Sequence, residues 1–203
     1  MKALLLAASL LLLAGCAGSS PHEPFRYFVL DAPASAAPAA PASAPARIDA
    51  TLLVLPTVAA SFYATQEMAY SKAEGVRAYY QFSSWTEPPE VAMTRALVER
   101  IDNARLFRTV AIAGAGVRGS LVLATQLLEI YHDASSSPGT AKIVVAAELR
   151  EPAKHVLLAR RTFTTAVPAA SFDAAGAVQG FRVGLGLIGD EMAAWLASIA
   201  PAR

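Results

Sequence analysis

A short apolar run that ends at the chain's only cysteine constrains this sequence more than any other feature. Ala3 to Ala14 is apolar behind the single positive charge of Lys2, and the run closes on Leu13-Ala14-Gly15-Cys16. It is too short to span a bilayer, which takes roughly 20 apolar residues. The small residues ahead of Cys16 resemble a bacterial lipobox, so residues 1–15 are expected to be a signal peptide removed before folding. Cys16 then becomes an acylated N-terminus. With no second cysteine in the chain, a disulfide is not its purpose.

One acyl chain gives marginal membrane binding and stable anchoring takes two signals. Lipobox cysteines of this kind resemble those that receive a diacylglycerol and usually a third chain, which implies durable attachment. Residue 17 is alanine rather than the aspartate associated with inner-membrane retention in many Gram-negative bacteria. By that resemblance the expected location is the periplasmic face of the outer membrane. Loss of Lys2 brings the 17 basic residues level with the 16 acidic ones. A balanced charge gives no reason to expect nucleic acid or attraction to anionic lipid.

The rest reads as one domain. Residues 16–24 form a short lipidated tether, and residues 25–203 form the domain. Phe25 to Leu30 is expected to be a first strand. The uncharged Pro/Ala/Ser stretch over residues 32–46 cannot build a core and is expected to be a loop leaving that strand. Ile48 to Pro56 follows as a buried strand. Glu67-Met68-Ala69-Tyr70 and Val76 to Phe82 flank Glu74-Gly75 and predict two strands around a turn. Glu87-Pro88-Pro89 opens an amphipathic helix, with Thr94, Leu97, Val98 and Ile101 on one face. Val110 to Ala113 is a short strand after it.

Three β-rich runs come next, Leu121–His132, Thr140–Arg150 and His155–Ala166. Strong turn signals at Asp133–Gly139 and Glu151–Lys154 separate them and predict a meander. Val178, Phe181, Leu185, Ile188, Met192, Trp195 and Ile199 recur at spacings of three and four, a long helix with one apolar stripe. Gly180, Gly184, Gly186 and Gly189 cost that helix about 1 kcal/mol each relative to alanine. They mark either close approach to the sheet or a kinked start. The expected fold is α+β, a mixed, largely antiparallel sheet with two main helices packed on it.

Catalytic chemistry finds no foothold in the sequence. His22, His132 and His155 lie in the tether, at a strand end and at a hairpin exit, with no cysteine to join them in a zinc site. No metal or cofactor is expected. There is no G-x-S-x-G elbow. The glycine-rich Gly114–Gly119 precedes a strand, whereas a dinucleotide loop follows one and opens a helix, so it reads as a surface turn. Tyr131-His132-Asp133 puts an acid beside an imidazole, but adjacent strand residues face opposite ways.

What stands out is aromatic. Phe62, Tyr63, Tyr70, Tyr79, Tyr80, Phe82 and Trp85 lie within one stretch. Most are expected in the core, Phe82 and Trp85 first. Of Tyr79 and Tyr80, one should face away from the other's packing surface. An exposed tyrosine beside Arg77 suits a protein interface, so Arg77, Tyr79 and Tyr80 are the candidate partner contacts.

Taken in order, the lipobox, Tyr27-Phe28-Val29-Leu30, Leu53-Val54-Leu55-Pro56, Tyr79 to Pro89 (YYQFSSWTEPP), a helix ending near Leu106-Phe107 and Leu127 to Asp133 (LLEIYHD) resemble the auxiliary lipoprotein component of ABC-type transporters. That family includes the lipoprotein of the paraquat-inducible operon. The resemblance spans essentially the whole mature chain, although residues 56–79 are alanine-rich where a better-marked strand pair is expected. It implies a non-enzymatic partner of MCE-domain proteins, alone or as a homo-oligomeric ring. Such a partner docks a periplasmic conduit for lipids or other hydrophobic molecules to the outer membrane. Two other readings stand beside it. One is an assembly or chaperone lipoprotein for an outer-membrane β-barrel, which would co-purify with a barrel. The other is a small lipid-binding or lipid-modifying enzyme, which requires an apolar pocket with convergent polar groups.

Overall fold

The structure, a computed structural model, describes residues 24–33, 48–114 and 116–199. The signal peptide, Cys16, His22 and nearly all of the tether and of the 32–46 loop therefore lie outside the described residues.

The hub is β7 (Leu121–Asp133), which alternates buried and half-buried residues over its first half and is flanked on both sides. On one side runs the antiparallel meander to β8 (Thr140–Glu151) and β9 (Val156–Pro168), in register from Asp133 opposite Thr140 to Val122 opposite Arg150. Its two connections fall where the turn signals stand. On the other side three strands share β7's length, all in parallel. They are β2 (Ile48–Val54) at Leu121, β3 (Val58–Ala59) at Gln126 and β4 (Glu67–Ser71) at His132. The sheet extends outward from β4 through antiparallel β5 (Ala78–Trp85) to β1 (Arg26–Phe28), and from β2 to β6 (Phe107–Ile112). It is a mixed nine-stranded sheet in an α+β fold, antiparallel in its long meander and mostly parallel in its N-terminal half.

Two helices cover one face. Helix α1 (Pro89–Asn103) begins with proline, whose missing N–H costs nothing in the first turn. Its buried side chains are Pro89, Ala92, Met93, Thr94, Leu97 and Ile101. Helix α2 (Ala174–Ile199) starts four residues before the expected Val178. Asp173 explains the early start, because its Oδ1 accepts the backbone N–H of Gly176 at 2.8 Å, and that hydrogen bond holds its carboxyl below the usual range. The strand after α1 also begins earlier than expected, at Phe107.

The core lies between the helices and the sheet. Trp85 meets Phe181 edge-on at 5.6 Å and Phe163 meets Trp195 at 5.6 Å, all four buried. Phe82, expected in the core beside Trp85, is only half-buried. The helix glycines divide into two pairs. A Cβ on Gly180 would lie 2.7 Å from the Ala141 Cβ, and one on Gly184 would lie 2.8 Å from the Thr165 hydroxyl, so these two press on the sheet. Gly186 and Gly189 instead face Arg100 of α1. Arg100 donates to both carboxylate oxygens of Asp190, at 2.6 and 2.7 Å, and to the Pro33 carbonyl at 3.0 Å. Absent side chains thus make room for a clamp between the helices and the segment after β1.

Candidate functional site

The β4–β5 hairpin turns through Gly75, whose φ of +72° a side chain would resist. The hairpin carries the aromatic stretch, and strand alternation sends its residues to opposite faces of the sheet.

On the face away from the helices, Arg77 is the organising residue. Its guanidinium carbon sits 3.6 Å from the centre of the Tyr131 ring, close enough for a cation–π contact. Its Nε donates to the Tyr63 hydroxyl at 3.1 Å, and one terminal nitrogen reaches Glu129 at 3.4 Å. Burial pushes the Tyr63 hydroxyl above its ordinary range, outweighing the opposing effect of Arg77. Tyr79 stacks on Phe62 with ring centres 4.5 Å apart and donates to the Phe62 carbonyl at 2.7 Å. Further along this face Lys142 donates to Asp133 at 2.6 Å. With Ser135, that bond holds the Asp133 carboxyl at about 2. Arg77 and Tyr79 are thus brought together in a half-buried, pre-ordered patch of aromatic rings and fixed charges.

Tyr80 goes the other way. Its ring lies 4.8 Å from Tyr70, and its hydroxyl lies 2.6 Å from His132 Nδ1. His132 Nε2 lies 3.1 Å from the Pro138 carbonyl, which can only accept, so Nε2 carries the proton and Nδ1 accepts from Tyr80. His132 is fully buried, and Phe172 meets its ring edge-on. Burial pushes Tyr80 up to about 12 and His132 below its ordinary 6.5. Sequence reading placed His132 at a polar strand end and missed this enclosure. The available signal was its even spacing from Ile130 on a strand with one buried face.

A neutral buried histidine makes stability depend on pH. Its folded pKa lies below its unfolded one, so beneath about 6.5 the unfolded chain binds more protons. The contribution is complete above that value and is lost as the pH falls through the folded pKa. Asp133 acts separately, because its contribution is lost only between 3.8 and about 2. Asp133 and Asp173 are the charges that act on the imidazole, and both remain ionised through the upper window. Urea midpoints of the parent should therefore fall between about pH 7.5 and about pH 5. In His132→Gln that fall should flatten; an equal fall in both proteins would assign the effect to another group.

At the far end of β7 a shallow cavity of about 490 Å³ is lined by Val122, Arg150, Glu151, Pro152, His155, Val156 and Leu157. His155 sits there in the left-handed region, φ +55°, at the β8–β9 turn. Gly114 and Gly116, both with positive φ, form the connection between β6 and β7.

Several solved structures share this fold. A protein of the DUF330 family from Xanthomonas campestris superposes with a TM-score of 0.74 at 21% identity, covering 86% of this chain and 96% of its own. A second solved protein gives 0.63 at 13% identity, covering 75% and 95%. A hypothetical protein from Chlamydia trachomatis gives 0.53 at 11% identity, covering 76% and 99%. No curated protein matches the chain. The sequence model of the ABC-type transport auxiliary lipoprotein component matches residues 28–193, from β1 almost to the end of α2. The chain belongs to the ABC-type transport auxiliary lipoprotein family.

Proposed function

We propose that this protein is a non-enzymatic auxiliary lipoprotein, anchored through Cys16 to the periplasmic face of the outer membrane. There it docks the conduit of an ABC/MCE-type system that moves lipids or other hydrophobic molecules. The observation that carries the proposal is the family match over nearly the whole domain. Membership supports association with a transport system, and the short tether from Cys16 to Pro24 supports a domain held close to a bilayer. The partner contact is assigned to the face bearing Arg77 and Tyr79, with Tyr80 supporting it from the opposite side of β5. Ordered aromatic rings and an arginine already fixed by neighbours bind at low entropic cost.

Crosslinking in native membranes, read by mass spectrometry, tests the assignment. An MCE-domain protein should be recovered. Tyr79→Ala/Tyr80→Ala should reduce its yield about tenfold, the size of a modest hot-spot loss. Arg77→Ala should do the same without disturbing His132. Recovery of a β-barrel instead would favour the assembly-lipoprotein reading, and an unchanged yield in the variants would remove the interface from β5.

A further inference from the structure

The first described residues after the tether carry an unusual pattern. Phe25, Tyr27 and Val29 occupy alternate positions and are 48, 65 and 54% exposed. Between and beyond them Phe28 and Leu30 turn inward, while Arg26 stays exposed over the Phe28 ring. Phe28 packs against the core opposite Trp85, and Leu30 is buried. The segment is firmly held. Arg26, Tyr27 and Phe28 are in register with Ser83, Ser84 and Trp85, Arg182 donates to Asp31 at 3.0 Å, and Arg100 donates to the Pro33 carbonyl. The Phe25 and Tyr27 rings lie 5.0 Å apart. The result is a rigid apolar stripe on an edge strand, with one polar tip at the tyrosine hydroxyl.

We infer that Phe25, Tyr27 and Val29 seat in the headgroup–acyl boundary of the bilayer to which Cys16 is anchored. The inference rests on the reading of Cys16 as the lipidation site. Chain length supplies the argument. Eight residue steps separate Cys16 from Pro24, at most about 29 Å even when fully extended. The stripe begins at the next residue, so it is the part of the domain that the anchor keeps closest to lipid. Tethering makes the contact intramolecular in effect, and a weak apolar face then suffices. Tyrosine and phenylalanine suit this layer, with the ring in the acyl boundary and the hydroxyl among headgroups.

Another exposed apolar cluster, Val156, Leu157 and Leu158, lies elsewhere. Register places it opposite Glu151 and Arg150, at the start of β7, whereas β1 lies beyond β5 and β4 and is level with about Glu129. At about 3.3 Å per residue the two clusters are roughly 20–25 Å apart along the strands. With the stripe on the membrane, the β8–β9 tip points away from it.

The test uses the acylated full-length protein, reconstituted in phosphatidylethanolamine/phosphatidylglycerol vesicles whose acyl chains carry bromine near the carbonyl. Tyr27→Trp adds an indole in the stripe and Leu157→Trp adds one at the tip. The native Trp85 and Trp195 are buried, giving a constant background. Tyr27→Trp is expected to lose most of its added emission to bromine and Leu157→Trp almost none. Acylated protein that floats with the vesicles while position 27 stays unquenched overturns the inference alone. A blue shift at position 27 without quenching, growing with protein density, overturns it by showing that a second copy covers the stripe. Protein bearing no acyl mass at Cys16 overturns the anchor reading and this inference with it.

Discussion

A Cys16→Ala protein, exported behind an ordinary cleavable leader, is expected to leave the membrane fraction and appear soluble in the periplasm. The magnitude follows from chain counting. Each buried acyl methylene contributes about 0.8 kcal/mol, so two or three chains make release negligible and none leaves little to replace them. No helix among the described residues is long and apolar enough to cross a membrane. Without residues 1–15 the side-chain charge is balanced, so anionic lipid would exert no net pull on it. The stripe at Phe25, Tyr27 and Val29 binds usefully only while the tether keeps it at the surface. Fractionation with carbonate washing, together with the intact mass of the parent, reads the result. A variant that stays in the washed membranes would show that something other than lipid on Cys16 holds the protein there.

Gly180→Val is the second change expected to have a large effect, here on stability. A Cβ at position 180 meets the Ala141 Cβ at 2.7 Å, the Val167 carbonyl at 3.2 Å and the Pro168 carbonyl at 3.4 Å. Two of those neighbours are backbone and the third is a side chain with no freedom to move, so α2 itself must lift. Lifting it opens the seam where Phe181, Leu185, Ile188 and Met192 are buried against the sheet. Overpacking of this kind costs about 3 kcal/mol, a large part of the roughly 5–15 kcal/mol that holds a domain together. Gly186→Ala is the control. Its Cβ meets the far end of the Arg100 side chain at 3.3 Å, and helix propensity returns up to about 1 kcal/mol. Its urea midpoint should stay near the parent's while that of Gly180→Val falls steeply. Equal midpoints would mean that α2 tolerates displacement from β8.

The elements visible in the sequence were those that local rules decide. The meander showed itself because β7, β8 and β9 carry β-branched and apolar alternation between turn-forming residues. Helix α2 showed itself through its stripe from Val178 to Ile199, although its first turn did not, since Ala174 to Ala177 carry no period and the cap depends on one carboxylate, Asp173. Two-residue β3 is too short to have a pattern. The glycines announced a close approach, but only three-dimensional packing reveals that Gly186 and Gly189 face Arg100 rather than a strand. At the candidate site, composition drew attention to the aromatics of β5. The residues that fix Arg77 in place, Tyr63, Glu129 and Tyr131, come from a turn and a strand far along the chain. Nothing local to Arg77 names them. The same holds for the partnership of Tyr80 with His132.

The way three parallel strands share one side of β7 sets a timetable for folding. Leu52 of β2 waits for Leu121, Val58 of β3 for Gln126 and Tyr70 of β4 for His132, while Arg26 of β1 waits for Ser83. The β4–β5, β1–β5 and β2–β6 ladders can form before β7 is made, but the ladders that join them into one sheet cannot. Closure across such separations is slow. On the reading of residues 1–15 as a leader that directs the chain through a membrane unfolded, that delay is useful. The single sheet would then lock only once β7 has followed the earlier strands across.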